Sequence, residues 1–228
     1  MPRLIAALLR HGDYRQLPDT PSALQPFPLT DEGRQQARDA ACALMKMALD
    51  MGCRIDSELH SSRLLRGWET ASILGEALKG DFAIQDFDAL AERSVGSAAN
   101  LTVSQIEAVV REDPRFEELP PDWKSSSHFC LPLQGAESLA EAGQRVAQHL
   151  VETMRQLACD VQQDTLKVFV GHGAAMRHAA WHLGVLELAD VARLSMFHAQ
   201  PVCLEYSDAG WKHVGGDWKV RDAMAQPD

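Results

Sequence analysis

The chain has 228 residues, 46% hydrophobic and 24% charged, with 22 Lys+Arg against 32 Asp+Glu and a formal net charge of -10. That apolar fraction excludes a solvated, disordered chain, and an acidic balance without a basic stripe argues against a nucleic-acid partner. No apolar stretch nears the ~20 residues of a membrane helix, and the five scattered cysteines lack the spacing of a disulfide framework or zinc ribbon, so a cytoplasmic protein with reduced thiols and no membrane partner is expected.

Residues 3–9 form a nearly continuous apolar run ending at Arg10-His11-Gly12, which reads as a buried strand. Pro18, Pro21, Pro26 and Pro28 make residues 13–28 a loop. Thr30 offers an N-cap and Asp31 and Glu32 a first turn; Ala37, Ala41, Leu44, Ala48 and Met51 then recur at helical spacing up to Gly52. Residues 55–60 are a weak strand. Residues 63–78 read as a helix with Leu64, Trp68, Ala71, Gly75 and Leu78 on its apolar face, and 82–87 alternate as a strand does. Thr102 and Gln105 predict a capping box before a short helix carrying Val103, Ile106 and Val110.

The Pro- and Ser-rich residues 113–132 predict a long surface excursion. Leu139, Val146, Leu150 and Leu157 mark another helix. Residues 166–170 are a second buried strand, followed by Gly171-His172-Gly173 and a helix to about residue 183. Residues 195–206 and 211–214 read as terminal strands. The alternation predicts an α/β fold with a mostly parallel sheet. With no Gly/Ser linker and no internal repeat, one domain over residues 1–228 is the simpler reading.

Ligands of parallel sheets bind beyond the carboxyl ends of the strands. Two histidines, His11 and His172, each follow a strand and each adjoin glycine. Taken singly, either is more often a satisfied, partly buried imidazole. The third element is Arg66, in the first turns of the helix after a strand. With LLRHG at 8–12, PLTDEGRQQA at 28–37, SSRLLRGWETA at 61–71, LAER at 90–93, GAES at 135–138 and VFVGHG at 168–173, the chain resembles the histidine phosphatase superfamily, whose best-known branch is cofactor-dependent phosphoglycerate mutase. The pieces occur in the family's order and span most of the chain.

The resemblance implies a three-layer α/β/α sandwich and a phosphatase that uses no metal or cofactor. His11 would accept the phosphoryl group, and Arg10, Arg66 and His172 would form the phosphate pocket. Neutral imidazole is a competent nucleophile near neutral pH, and arginine forks suit phosphate oxygens. His172, when protonated, would add a charge-assisted donor, and the Gly173 amide at a helix N-terminus an anion-binding dipole. Glu92 would protonate the leaving alkoxide; its other reading is a surface pair with Arg93. Asp13 and Arg93 are weaker substrate-binding candidates. Lys124, Arg115 and His128 could reach a distal substrate group, with a solvated face as the default. His60, His178 and His198 are assigned to packing or surface.

Mutases of the superfamily carry an Asn six residues past the nucleophile, where this chain has Leu17, and a Tyr and a Lys after the acid that are absent from residues 93–100. A phosphatase acting on a small phosphorylated metabolite or a phosphoprotein is therefore favoured over a mutase. The alternatives are a phosphohistidine-protein phosphatase, metal-assisted hydrolysis with His11, Asp13 and His172 as ligands, and a non-catalytic phospholigand-binding protein.

Overall fold

The computed structural model describes residues 2–221. In chain order the elements are β1 (Leu4–Arg10), α1 (Asp31–Met51), β2 (Arg54–Ile55), β3 (Glu58–Ser62), α2 (Leu65–Ala77), β4 (Ala83–Phe87), α3 (Val103–Glu112), α4 (Leu139–Asp160), β5 (Thr165–Gly171), α5 (Gly173–His182), α6 (Leu188–Arg193), β6 (Leu194–Ser195), β7 (Pro201–Ser207), β8 (Gly210–Gly215) and β9 (Lys219–Val220).

β1 and β5 lie inside the main sheet because apolar side chains cover both their faces. Along β1, Leu4, Ala6 and Leu8 enter one core with Val146, Leu150, Phe169 and Met176. Ile5, Ala7 and Leu9 enter the other with Leu44, Leu59, Leu74 and Val168, as the two-residue strand period requires. Helices α4 and α5 thus cover one face and α1 and α2 the opposite face, giving three layers. The sheet order is β4-β3-β5-β1-β7-β8, with β2 also pairing β5. Pairings from β4 through β1 are parallel, while β7 and β8 join antiparallel, so the sheet is mixed.

Caps act as the sequence predicts. Thr30 accepts the Gly33 amide at 3.0 Å to start α1, and Gly52, at φ 69°, ends it. Capping boxes open α3 at Thr102/Gln105 and α4 at Ser138/Glu141.

Several expectations need correction. The strand expected over 55–60 is split, because Asp56 accepts the Glu58 amide at 3.0 Å and the Lys167 ammonium at 2.8 Å, turning the chain between β2 and β3. Trp68, expected in the core, is 44% exposed. Helix α2 instead buries Arg66, Gly67, Thr70, Ala71 and Leu74. The excursion over 113–132 is irregular, yet Trp123 and Leu131 are buried with Ala23, Val95, Ala98 and Ile106 in a separate small core. The strand expected over 195–206 is broken: Ser195 ends the short β6, and β7 begins at Pro201 after a turn that brings His198 beside Arg10.

Candidate active site

The register between β1 and β5 runs from Leu4↔Thr165 to Arg10↔Gly171, so both strands end level. His11 extends the ladder by donating its amide to the Gly171 carbonyl at 2.9 Å. The rings of His11 and His172 then stand 5.0 Å apart, centroid to centroid. Both side chains are buried.

The tautomer of His11 follows from its partners. Nδ1 lies 2.7 Å from the Gly12 carbonyl, which only accepts, so Nδ1 carries the proton. Nε2 keeps a lone pair and accepts from Arg66 Nε at 3.2 Å. Burial, then the charges of Arg66, His172 and Arg10, hold the His11 pKa well below the ordinary imidazole value. The ring is therefore neutral at pH 7 and nucleophilic at Nε2. The Gly12 amide donates to Thr70 Oγ1 at 3.0 Å, and a Cβ on Gly12 would sit 2.4 Å from the Gly33 carbonyl oxygen. The nucleophile loop thus lies flush against the first turn of α1.

His172 Nε2 meets Ser62 Oγ at 2.8 Å. Ser62 Oγ also accepts the Leu64 amide at 3.2 Å and keeps both a second lone pair and a proton for the ring. The other ring nitrogen, Nδ1, is buried and has no hydrogen-bond partner among the described residues. Burial and the charges of Arg66 and Arg10 also hold this imidazole well below its ordinary pKa. The ligand-free protein thus favours the neutral form of His172, and the charge-assisted donor would require protonation of the ring.

Arg66 is wholly buried beside His11, but its fork faces the Pro-rich loop. Nη1 donates to the Gln25 carbonyl at 2.9 Å, and Nη2 to the carbonyls of Ala23 and Ser22 at 2.8 and 3.2 Å. The guanidinium also lies 4.6 Å from the Tyr14 ring centroid. Arg66 therefore reaches the nucleophile through Nε while its other donors hold the loop, a narrower role than the phosphate clamp expected of it.

Arg10 crosses the start of α5, where a Cβ on Gly173 would lie 3.2 Å from Arg10 Cδ, and its Nη1 donates to the Met196 carbonyl at 3.2 Å. Arg10, His11, Glu92 and Gly173 line one cleft with about 120 Å³ of water-accessible space. The Glu92 carboxylate accepts the amides of Ala174 and Ala175 at 3.3 and 3.1 Å and that of Arg93 at 2.9 Å. The positive end of α5 thus holds Glu92 in place beside the cleft. The Gly173 amide, the anion-binding candidate, is not among those Glu92 takes, and Gly173 lines the cleft. The surface Glu92–Arg93 pair does not form.

Asp13 does not line this cleft: its carboxylate accepts the Thr30 hydroxyl at 2.7 Å, and its amide donates to Gln36 at 2.8 Å. It anchors the nucleophile loop to α1 and does not join His11 and His172 as a third ligand. Arg63 pairs with Asp86 and Asp88 at the surface. His60 and His178 are buried in hydrogen bonds of their own. His198, assigned to packing or surface, has its ring 5.8 Å from that of His11. Thr70 was also missed, although its spacing of four from Arg66 places both on one helix face.

The histidine phosphatase superfamily (branch 1) family model matches residues 6–217. The chain belongs to that superfamily. Among solved structures it is similar to a mycobacterial glucosyl-3-phosphoglycerate phosphatase, at 22% identity over 97% of this chain and 99% of that one, with a TM-score of 0.66. It is also similar to a phosphoglycerate mutase from Bacillus anthracis, at 15% identity over 94% and 93% with a TM-score of 0.71. A phosphoserine phosphatase mutant from Entamoeba histolytica, in complex with phosphoserine, matches at 18% identity over 94% and 96% with a TM-score of 0.62. No curated protein sequence matches the chain. Among the described residues, no helix is long and apolar enough to cross a membrane.

Proposed function

We propose that this protein is a metal-independent phosphatase that hydrolyses small phosphomonoesters through a phosphohistidine on His11. The observation that carries the reading is the fixed tautomer of His11, with Nδ1 tied to the Gly12 carbonyl and the Nε2 lone pair beside Arg66. In the first step Nε2 attacks phosphorus, the bond from phosphorus to the ester oxygen breaks, and Glu92 delivers a proton to the leaving alkoxide. In the second, water attacks the phosphohistidine, Glu92 takes its proton, and the P–N bond breaks to restore the lone pair. Arg10, the Nε–H of Arg66 and the ring of His172 supply donors to the transferring group. Each such preorganised donor is worth about 3–4 kcal/mol in the transition state. The phosphatases among the structural neighbours support the choice of hydrolysis over transfer.

The test is rapid-quench labelling with a 32P-phosphoester. Acid-labile, base-stable label on His11, lost in His11→Ala together with turnover, is the expected result. Full activity in a folded His11→Ala variant would sink the reading.

A further inference from the structure

His178 is a buried imidazole that the phosphatase steps do not use, and its partners fix where its proton sits. It is 1% exposed, and a Cβ on Gly143 of α4 would stand 2.3 Å from the His178 Cβ, so α4 holds it tightly. Nδ1 lies 2.8 Å from the Ala174 carbonyl, which only accepts, so Nδ1 carries a proton. Burial lowers the pKa from 6.5 to about 4, against the hydrogen bond to Ala174 and aided by the charges of Arg177, His182 and Arg93. The ring is therefore neutral at pH 7. Nε2 keeps its lone pair, and the Ser127 hydroxyl donates to it at 3.1 Å.

The Ala174 carbonyl belongs to the same planar peptide group as the Ala175 N–H. That N–H donates to Glu92 Oε1 at 3.1 Å. A single line of donation thus runs from the Ser127 hydroxyl through the His178 ring and the 174–175 peptide to the Glu92 carboxylate. Its bonds all point the same way, so each polarises the next. Ser127 is itself held by its carbonyl, which accepts the Ala140 amide at 2.8 Å in the first turn of α4. Ser125, in the same stretch of the 113–132 excursion, lines the cleft. We infer that Ser127 and His178 are positioning residues for the proton donor, coupling the seating of the excursion to the aim of Glu92. The inference rests on the phosphatase reading for the proton that Glu92 transfers, but not for the hydrogen-bond line itself. A packing histidine needs only ring volume, whereas this line needs a donor toward Ala174.

The two roles separate experimentally. In the full-length protein at pH 7, nitrogen NMR of labelled histidine should find the His178 proton on Nδ1, and Ser127→Ala should move the Ala175 amide proton upfield. In kcat/KM on an alkyl phosphate, His178→Phe should lose about tenfold and Ser127→Ala about threefold, the scale of one hydrogen bond and of its polarisation. Both losses should be smaller on para-nitrophenyl phosphate, whose leaving group needs no proton. His178→Asn, with a side-chain amide donor for the Ala174 carbonyl, should outperform His178→Phe on the alkyl phosphate; a packing role would reverse that order and defeat the inference. Should His178→Phe not fold, Ser127→Ala, at a half-buried position, carries both the NMR and the kinetic readout. A proton on Nε2, an unmoved Ala175 amide in Ser127→Ala, or equal losses on the two substrates overturns the inference. Absence of label on His11, with the Ala175 amide still responding to Ser127→Ala, defeats the phosphatase reading alone.

Discussion

Replacing Gly33 with alanine puts the geometry of the nucleophile loop to a direct test. In a helix the change ordinarily stabilises, by up to about 1 kcal/mol. Here the added Cβ would stand 1.9 Å from the Asp13 carbonyl oxygen and 2.8 Å from the Asp13 carbon and nitrogen. All three are backbone atoms, so no side-chain rotation relieves the overlap. About 1 Å of main-chain movement is required, and it would stretch the 3.0 Å bond from the Thr30 amide to the same oxygen. Overpacking of this kind costs about 3 kcal/mol, so the net effect is a loss of about 2 kcal/mol. Asp13 lies two residues from His11, and misplacing a catalytic group by about 1 Å lowers rate roughly 100-fold. The assay is urea denaturation beside kcat/KM. Gly75→Ala is the control: its Cβ would meet Leu59 and Phe82 only at ordinary distances of 3.4 and 3.5 Å, and it should stabilise by about 0.5–1 kcal/mol. Equal stability and activity in Gly33→Ala and the parent would refute the reasoning.

Arg66→Lys keeps the charge but loses the fork to Ser22, Ala23 and Gln25; urea denaturation should show about 2 kcal/mol less stability, and kcat should fall about 100-fold. Unchanged kcat would show that Nε is not needed beside His11. Glu92→Gln should lower kcat on an alkyl phosphate roughly 100-fold or more, yet less than about tenfold on para-nitrophenyl phosphate, whose leaving group needs no proton. Equal losses on both substrates would count against proton donation. The His149 pKa is lowered from 6.5 to about 4 by burial, then by the charge of His60, with Lys167 a smaller contributor that Glu152 opposes. Its ring is neutral when folded and takes a proton when unfolded, so stability is full above pH 6.5 and falls as pH drops toward 4. Discounted for partial solvent exposure, the loss is about 2 kcal/mol. Urea titrations at several pH values should find a shallower loss in His149→Phe over that window; identical slopes would contradict the assignment.

The strands were legible where burial is two-sided. Residues 4–10 and 165–171 carry apolar side chains on both faces, and that pattern, with a histidine after each, suggested a shared site that the Arg66 motif then strengthened. Arg66 could be located only through its motif, and the direction of its fork could not be read. That direction depends on the path of residues 22–25, which is set by tertiary contacts: the buried Gln25 side chain accepts the Leu17 amide at 2.8 Å and donates to the Pro21 carbonyl at 3.0 Å. Trp68 misled because periodicity registers hydrophobicity, whereas α2 is turned by the polar groups it delivers, Arg66 and Thr70. Lys124 and Arg177 have unremarkable spacing, and only the folding of the excursion against α5 gives them a common address.

The level endings of β1 and β5 carry a consequence for how such a centre can vary. The separation of the two imidazoles is set by a hydrogen-bonded ladder that moves only in whole steps. A slip of a single residue would displace one ring by about 3.3 Å and turn the strand's apolar residues to the opposite face. No gradual adjustment connects those states. Diversification is thereby channelled into the segments that roof the cleft, which can lengthen or exchange charges while the paired rings below keep their spacing.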